Sequence, residues 1–192
     1  MFNLFETVTD DINYLIESAG VDVTVNGISR KAIITNNPIG EFEDKNIHST
    51  QLIKRGDVIN YIDSNYLIIS ESVTQRNGKY KALMRHCNTK IEIIVIELID
   101  TGEVDYRGAP IYEEVETTIP VPAIVDSRTF SVDTNQAINL VNNQITVTVQ
   151  DNEQTRGIAI NDTFIVNGKN RKLVNVDYTK NGLLILYCDL SV

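Results

Sequence analysis

The sequence has no tryptophan, two cysteines and two histidines among 192 residues. Each shortage argues against a class of function. Sugar-cleaving proteins need two facing carboxylates in a cleft, usually with aromatic walls, and sugar-binding ones cluster aromatics on an exposed face; here the eight tyrosines are scattered and no tryptophan joins them. Cys87 and Cys188 lie far from any metal-type spacing, so buried free thiols are expected, with one disulfide between the two halves as the alternative. His86 adjoins Cys87 in an expected strand, so their side chains point to opposite faces and cannot share a metal. His48 sits in an acidic loop, and no local signature pairs it with a nucleophilic thiol. No catalytic residue, metal ligand or cofactor site is assigned.

Basic residues are also in deficit. Seventeen Lys and Arg stand against 26 Asp and Glu, a net charge of −9. That argues against a nucleic-acid grip, which needs clustered cations to displace counterions. An acidic wall would instead keep passing DNA mobile. The acidic groups Glu41, Glu43, Asp44 and Glu113, Glu114, Glu116 lack the ligand spacing of a calcium loop and read as solvated charge. Lys169, Arg171 and Lys172 form a small basic group with no wider stripe. No apolar run reaches a membrane span; the densest, 91–99, is broken by Glu92 and Glu97. The start, MFNLFETVTDD, lacks the features of a signal peptide. A soluble, intracellular product is expected. No glycine-rich loop links a strand to a helix, which argues against a nucleotide-binding α/β fold.

What the sequence does contain is one pattern written twice, over 53–87 and 158–188. Each copy has an Asp after Gly or Asn (Asp57, Asp162), a short apolar strand, a polar turn and a longer strand. An Asn-Gly pair follows (Asn77-Gly78, Asn181-Gly182), then a last strand running to Cys87 or Cys188. Matched on their cysteines, the copies disagree in length after the Asn-Gly pair.

Residues 3–19 have helical periodicity: Leu4, Val8, Ile12, Leu15 and Ile16 share one face. Asn3 and Glu6 resemble a capping box, and Gly20 is expected to stop the helix in a left-handed conformation. From Val21 the period is two, with a turn at Asn26-Gly27 and a strand over 31–35. Loop 36–51 breaks the pattern, and its Phe42 and Ile47 either contact a neighbour or pin the loop to its own domain. Strands follow over 58–62, 66–73, 79–87 and 91–98. A break is expected over 99–120, where Pro120 and Pro122 speak against a central strand. A hairpin over 137–149 turns at Asn142-Asn143, segment 151–157 is polar, and three closing strands turn at Asn167-Gly168 and Asn181-Gly182. The expected fold is mainly β: antiparallel sandwich or small-barrel modules in two related halves, with one N-terminal α-helix. The expected units are the helix 1–20, a first module 21–99, and a second module 100–192 introduced by an extended acidic segment.

The run GDVINYIDSNYLIISESV, with Tyr80-Lys81-Ala82, Arg85 and Cys87-Asn88 beyond it, resembles the head–tail connector and head-closure (neck) proteins of tailed bacteriophages of Gram-positive hosts. The C-terminal stretch resembles the remainder of those proteins through 151–155, Asp162-Thr163-Phe164 and Val176-Asp177. The likeness covers roughly 50–190 and is thinnest over 100–140. It departs at Asn170-Arg171, where an aromatic often precedes the central strand. It implies a non-enzymatic virion protein, assembled in the host cytoplasm. Such a protein forms a homo-oligomeric ring, expected to be a hexamer, between a portal or adaptor protein and a tail-completion or tail-tube protein. Genomic DNA would pass through the lumen without specific binding, and loops such as 36–51 or 99–120 would reach a neighbouring ring or the lumen. Leu4, Val8, Ile12, Phe42 and Ile47 are the candidate subunit contacts. Rival readings are a tail-completion, tail-hub or baseplate protein, a receptor- or carbohydrate-binding β-protein, and a hydrolase built on Glu113 and Glu116.

Overall fold

The computed structural model of the chain describes residues 9–75, 78–127 and 144–191. Helix α1 (Thr9–Ala19) leads into a first sheet of β1 (Val21–Val25), β2 (Ile28–Asn36), β3 (Asp44–Ser49), β4 (Val58–Tyr61), β5 (Ser64–Ile68), β6 (Val73–Gln75) and β7 (Lys79–His86). Its order is β3-β2-β1-β4-β5-β7-β6, and β3 pairs again with β7. That last pairing closes six of the strands into a barrel, with the short β6 added beside β7 as an edge strand. Alternation of Val23 and Val25 with Asp22 and Thr24 turns one face of β1 inward. Its core is Val23, Val25, Ile47, Ile53, Ile59, Tyr66, Ile68 and Met84.

The second sheet comprises β8 (Thr89–Val104), β9 (Pro110–Ser127), β10 (Ile145–Gln150), β11 (Thr163–Val166), β12 (Lys169–Asp177) and β13 (Leu183–Leu190), in the order β11-β12-β13-β10-β9-β8. β8 and β11 approach across the remaining gap, so this sheet is barrel-like as well. Val147, Val149, Leu173, Leu184, Leu186 and Cys188 fill it. One turn of helix, α2 (Glu153–Arg156), sits in the polar segment, held by Asn152 and Thr155 capping each other and by the buried Thr155 hydroxyl donating to Gln150 O at 2.6 Å.

Both barrels run through six strands in the same order, with β8 to β13 repeating β1, β2, β3, β4, β5 and β7. The repeat extends to single hydrogen bonds. In the first, Lys54 N–H donates to Asp57 Oδ2 and Ile68 N–H to Asp57 O. In the second, Ala159 N–H donates to Asp162 Oδ2 and Leu173 N–H to Asp162 O. Gly56 and Asn161, both at positive φ, donate back to Ile68 O and Leu173 O. Pairing β5–β7 against β12–β13 sets Ile68↔Met84 beside Leu173↔Cys188. Met84, not Cys87, is therefore the counterpart of Cys188, and matching the cysteines is what made the copies unequal in length. Both thiols are free.

Several expectations shift. Strand 91–98 belongs to the second barrel, because β8 folds back on β9 as one long hairpin. Segment 99–120 is thus largely strand rather than a break. Pro120 and Pro122, two residues apart, direct their missing N–H groups to the same side of β9. β10 pairs only with 124–127, so that side is unpaired at the prolines. Loop 36–51 contains β3, whose Asp and Asn obscured the alternation that buries Ile47 and Ser49. Gly20 ends α1 without a left-handed φ; it is glycine because a Cβ would strike Ile16 O, to which Gly20 N–H donates. Residues 3–8 and most of the hairpin over 137–149, including Asn142-Asn143, lie outside the described residues.

The barrels meet at a small shared core of Leu67, Ile124 and Leu183. Arg55 Nε donates to Asn181 O at 2.9 Å, and Gln150 Nε2 to Asn26 Oδ1 at 3.1 Å.

Candidate functional site

The largest departure between the two copies is a hairpin. β1 and β2 turn after five and nine residues, whereas β8 and β9 run for 16 and 18. Beyond the level of Ile93 and Val121 the excess, 94–119, leaves the barrel as a two-stranded arm. Pairing continues up it to Asp100↔Tyr112, slips at an irregularity, and resumes at Val104↔Pro110.

Ile94, Ile96 and Leu98 make one exposed row along an arm face, at 67%, 58% and 65% of full exposure. Their cross-strand partners are Thr118, Glu116 and Glu114, so an aliphatic row lies beside an acidic one. The arm carries seven carboxylates and one cation, Arg107. A two-stranded ribbon in water is marginal on its own. An aliphatic row left in solvent over this length is the mark of an interaction surface.

At the tip, Asp105 fixes the turn: Arg107 N–H and Ala109 N–H donate to Asp105 Oδ1 at 2.7 and 2.9 Å. Gly108 N–H donates to Asp105 O. Tyr106 projects almost fully exposed, and the Arg107 guanidinium lies 5.0 Å from its ring centroid. At the root, a cavity of about 460 Å³ opens between β8 and the 157–164 segment.

A second polar cluster fastens loop 36–45 to the first barrel. Arg85 donates to Asp44 through Nε (2.8 Å) and Nη2 (2.9 Å) and lies 4.0 Å above the Phe42 ring centroid. Its hydrogen bonds to Asp44 strengthen its hold on its proton. Tyr66 OH donates to Glu43 Oε1 at 2.8 Å. That bond, with Lys45 at 3.0 Å, holds the Glu43 carboxyl below its usual range, while burial and Glu43 push the Tyr66 phenol up. These groups are mutually satisfied and serve to anchor the loop.

The five contact candidates separate accordingly. Ile47 is fully buried in the first core and has no surface to offer. Phe42 is half-buried beneath Arg85, pinning its own loop. Ile12 is half-buried on α1, where Ile16 faces β2 and Lys31 pairs with Glu17 at 3.3 Å. Leu4 and Val8 lie outside the described residues. The arm row, Tyr106 and the fully exposed Ile39 were missed. The clue was present in 91–99, an apolar run too long for one face of a short barrel strand.

Glu113, Glu114 and Glu116 lie exposed along the arm, and Glu114 and Glu116 line its apolar row rather than a cleft. Burial raises the Cys87 thiol to about 12 and the Cys188 thiol to about 11. His48 is held below its ordinary value by burial and by Lys79 and Lys81. Among the described residues no three metal-ligating side chains come together.

Residues 3–86 match the family model of the YomX N-terminal domain, and residues 86–189 that of the YomX C-terminal domain. The two models abut where β7 ends and the second barrel begins. No curated protein and no solved structure matches the chain.

Proposed function

The chain belongs to the YomX family, that of a Bacillus phage-derived, SPbeta-like protein, and on that premise we propose that it is a non-enzymatic structural protein of the virion neck. In this reading copies join as a homo-oligomeric ring, taken as a hexamer. The ring sits between a portal or adaptor protein and a tail-completion or tail-tube protein, and DNA passes through the lumen unbound.

The observation that carries the reading is the arm. Barrel formation occupies many of the strand edges that could recruit a partner, and the exposed apolar row is the surface best suited to joining one. Its acidic edge repels phosphate, which suits a contact with protein beside a DNA channel rather than a contact with DNA. Assembly contacts of this kind bury far more surface than incidental ones.

The test is to separate phage particles into DNA-filled heads and free tails and to probe each for the protein. Recovery with heads, together with DNA leakage from heads made without it, supports the neck position. Recovery only with tails or baseplates moves the position to the tail. Absence from every particle fraction overturns the structural reading.

A further inference from the structure

The arm's two ends are chemically complementary, yet they cannot meet within one molecule. The root cavity has apolar walls in Ile93, Ile94, Ile158 and Phe164, with Glu92 and Asp162 among its lining. The tip supplies the matching groups: an exposed aromatic, Tyr106, and the arm's one cation, Arg107. No carboxylate among the described residues pairs with that guanidinium, because the neighbouring Asp105 is occupied by backbone N–H groups. Residues 94 to 104 in extended conformation hold tip and root about 33 Å apart.

We propose that the tip of one copy seats in the root cavity of a second copy, with the Tyr106 ring against the apolar wall and Arg107 against Glu92. A buried aromatic with an adjoining arginine–carboxylate pair is the usual composition of a dominant interface contact. Tip and root are different surfaces, so the contact is head-to-tail. It closes into a ring when the rotation per subunit allows, and otherwise extends as a filament. The Asx-type turn at Asp105 presents the two side chains already ordered, which lowers the entropy lost on docking. This rests on the proposed assembly function only in requiring more than one copy.

The test measures the association of the full chain by sedimentation over a range of concentrations, for wild type, Tyr106→Ala, Arg107→Glu, Glu92→Arg and the double variant Arg107→Glu with Glu92→Arg. Each single change is expected to weaken association at least about tenfold, equivalent to about 1.4 kcal/mol, and the double variant to recover most of it. All three positions are exposed, so circular dichroism should show unchanged folding and separates lost contact from lost structure. A wild-type chain that stays monomeric, an Arg107→Glu chain that assembles normally, or a double variant no better than its singles overturns the proposal. Particle fractionation distinguishes the two readings. Presence in heads with an indifferent Arg107→Glu leaves the neck reading without this contact, whereas charge-swap rescue in a chain absent from particles leaves the contact without the neck.

Discussion

Gly56 and Gly182 face each other backbone to backbone across the junction of the two barrels. A Cβ on Gly56 would collide with Gly182 O, and one on Gly182 with Arg55 O. Both residues also hold positive φ, +92° and +85°. The junction therefore depends on two missing side chains, one from each copy of the repeat.

Alanine at either position should cost at least about 2 kcal/mol, combining left-handed strain with a backbone clash that no rotamer relieves. Gly27 provides the control. It too has positive φ (+80°) but open space around it, so Gly27→Ala should cost only about 1 kcal/mol. Chemical denaturation of the three variants separates the terms. Equal losses at Gly27 and Gly56 would mean that the barrels do not press together there.

The repeated aspartates make a finer comparison. Asp57 and Asp162 accept the same backbone hydrogen bond in their respective barrels. Asp57 also accepts from Asn26 Nδ2 at 2.8 Å, and Asn26 in turn accepts from Val58 N–H and Gln150 Nε2. Asp162→Ala should therefore cost about 1 kcal/mol for the lost cap, and Asp57→Ala about 0.5–1 kcal/mol more. Equal melting losses for the two variants would show that the Asn26 network adds nothing.

The repeated plan was legible because it is carried by residues with special backbone roles: an Asp that caps three residues back, a positive-φ residue before it, a two-residue turn after it. Such positions tolerate few residue types. The long hairpin was not legible, because pairing that depends on a partner strand leaves weak local marks. Pro120 and Pro122 signalled an absent ladder on one side of β9, which is easily read as an absent strand. Ile47 shows the opposite error: His48, Asn46 and Lys45 surround it with polarity, yet they share a strand with an inward face. Composition reported charge faithfully but not its location, and most of the net negative charge lies on the arm.

The Tyr66–Glu43 bond predicts an acid-dependent effect. Glu43 binds its proton less readily in the fold than in the unfolded chain. Its contribution is therefore complete above the ordinary glutamate range and disappears as pH falls through the lowered folded value. Tyr66→Phe should cost about 0.5–1 kcal/mol near neutrality, toward the small end because Glu43 is half in solvent. The difference from wild type should vanish at low pH. A pH-independent difference would assign the loss to packing on Tyr61 and His86 instead.

The thiols behave in the opposite direction. Both are raised by burial, Cys87 to about 12 and Cys188 to about 11. Each favours the fold fully below the ordinary thiol value, and that contribution is lost as pH rises toward those values. At pH 8 the Cys87 thiolate fraction should be roughly a thousandfold below that of a free thiol. A disulfide reagent should therefore label neither cysteine in native protein and both after denaturation. Rapid native labelling of Cys87, the less buried of the two, would contradict the closed junction around it.

The arm gives the sharpest dynamic prediction. Its strands pair only with each other beyond the barrel, and Ile94, Ile96 and Leu98 contribute little to any core. Protection against amide exchange requires either a stable local fold or cover from outside, and an isolated ribbon lacks the first. In dilute monomer, amides of 94–119 should exchange orders of magnitude faster than those of β10 and β13, whose side chains fill the core. Serine at Ile96 and Leu98 should change the melting temperature little, since most of the removed surface was already in water. In the assembled state the same amides should become protected, and the serine variant should lose that protection along with association. An arm equally slow to exchange in monomer and assembly would be a self-sufficient structural element, and its apolar row would need another explanation.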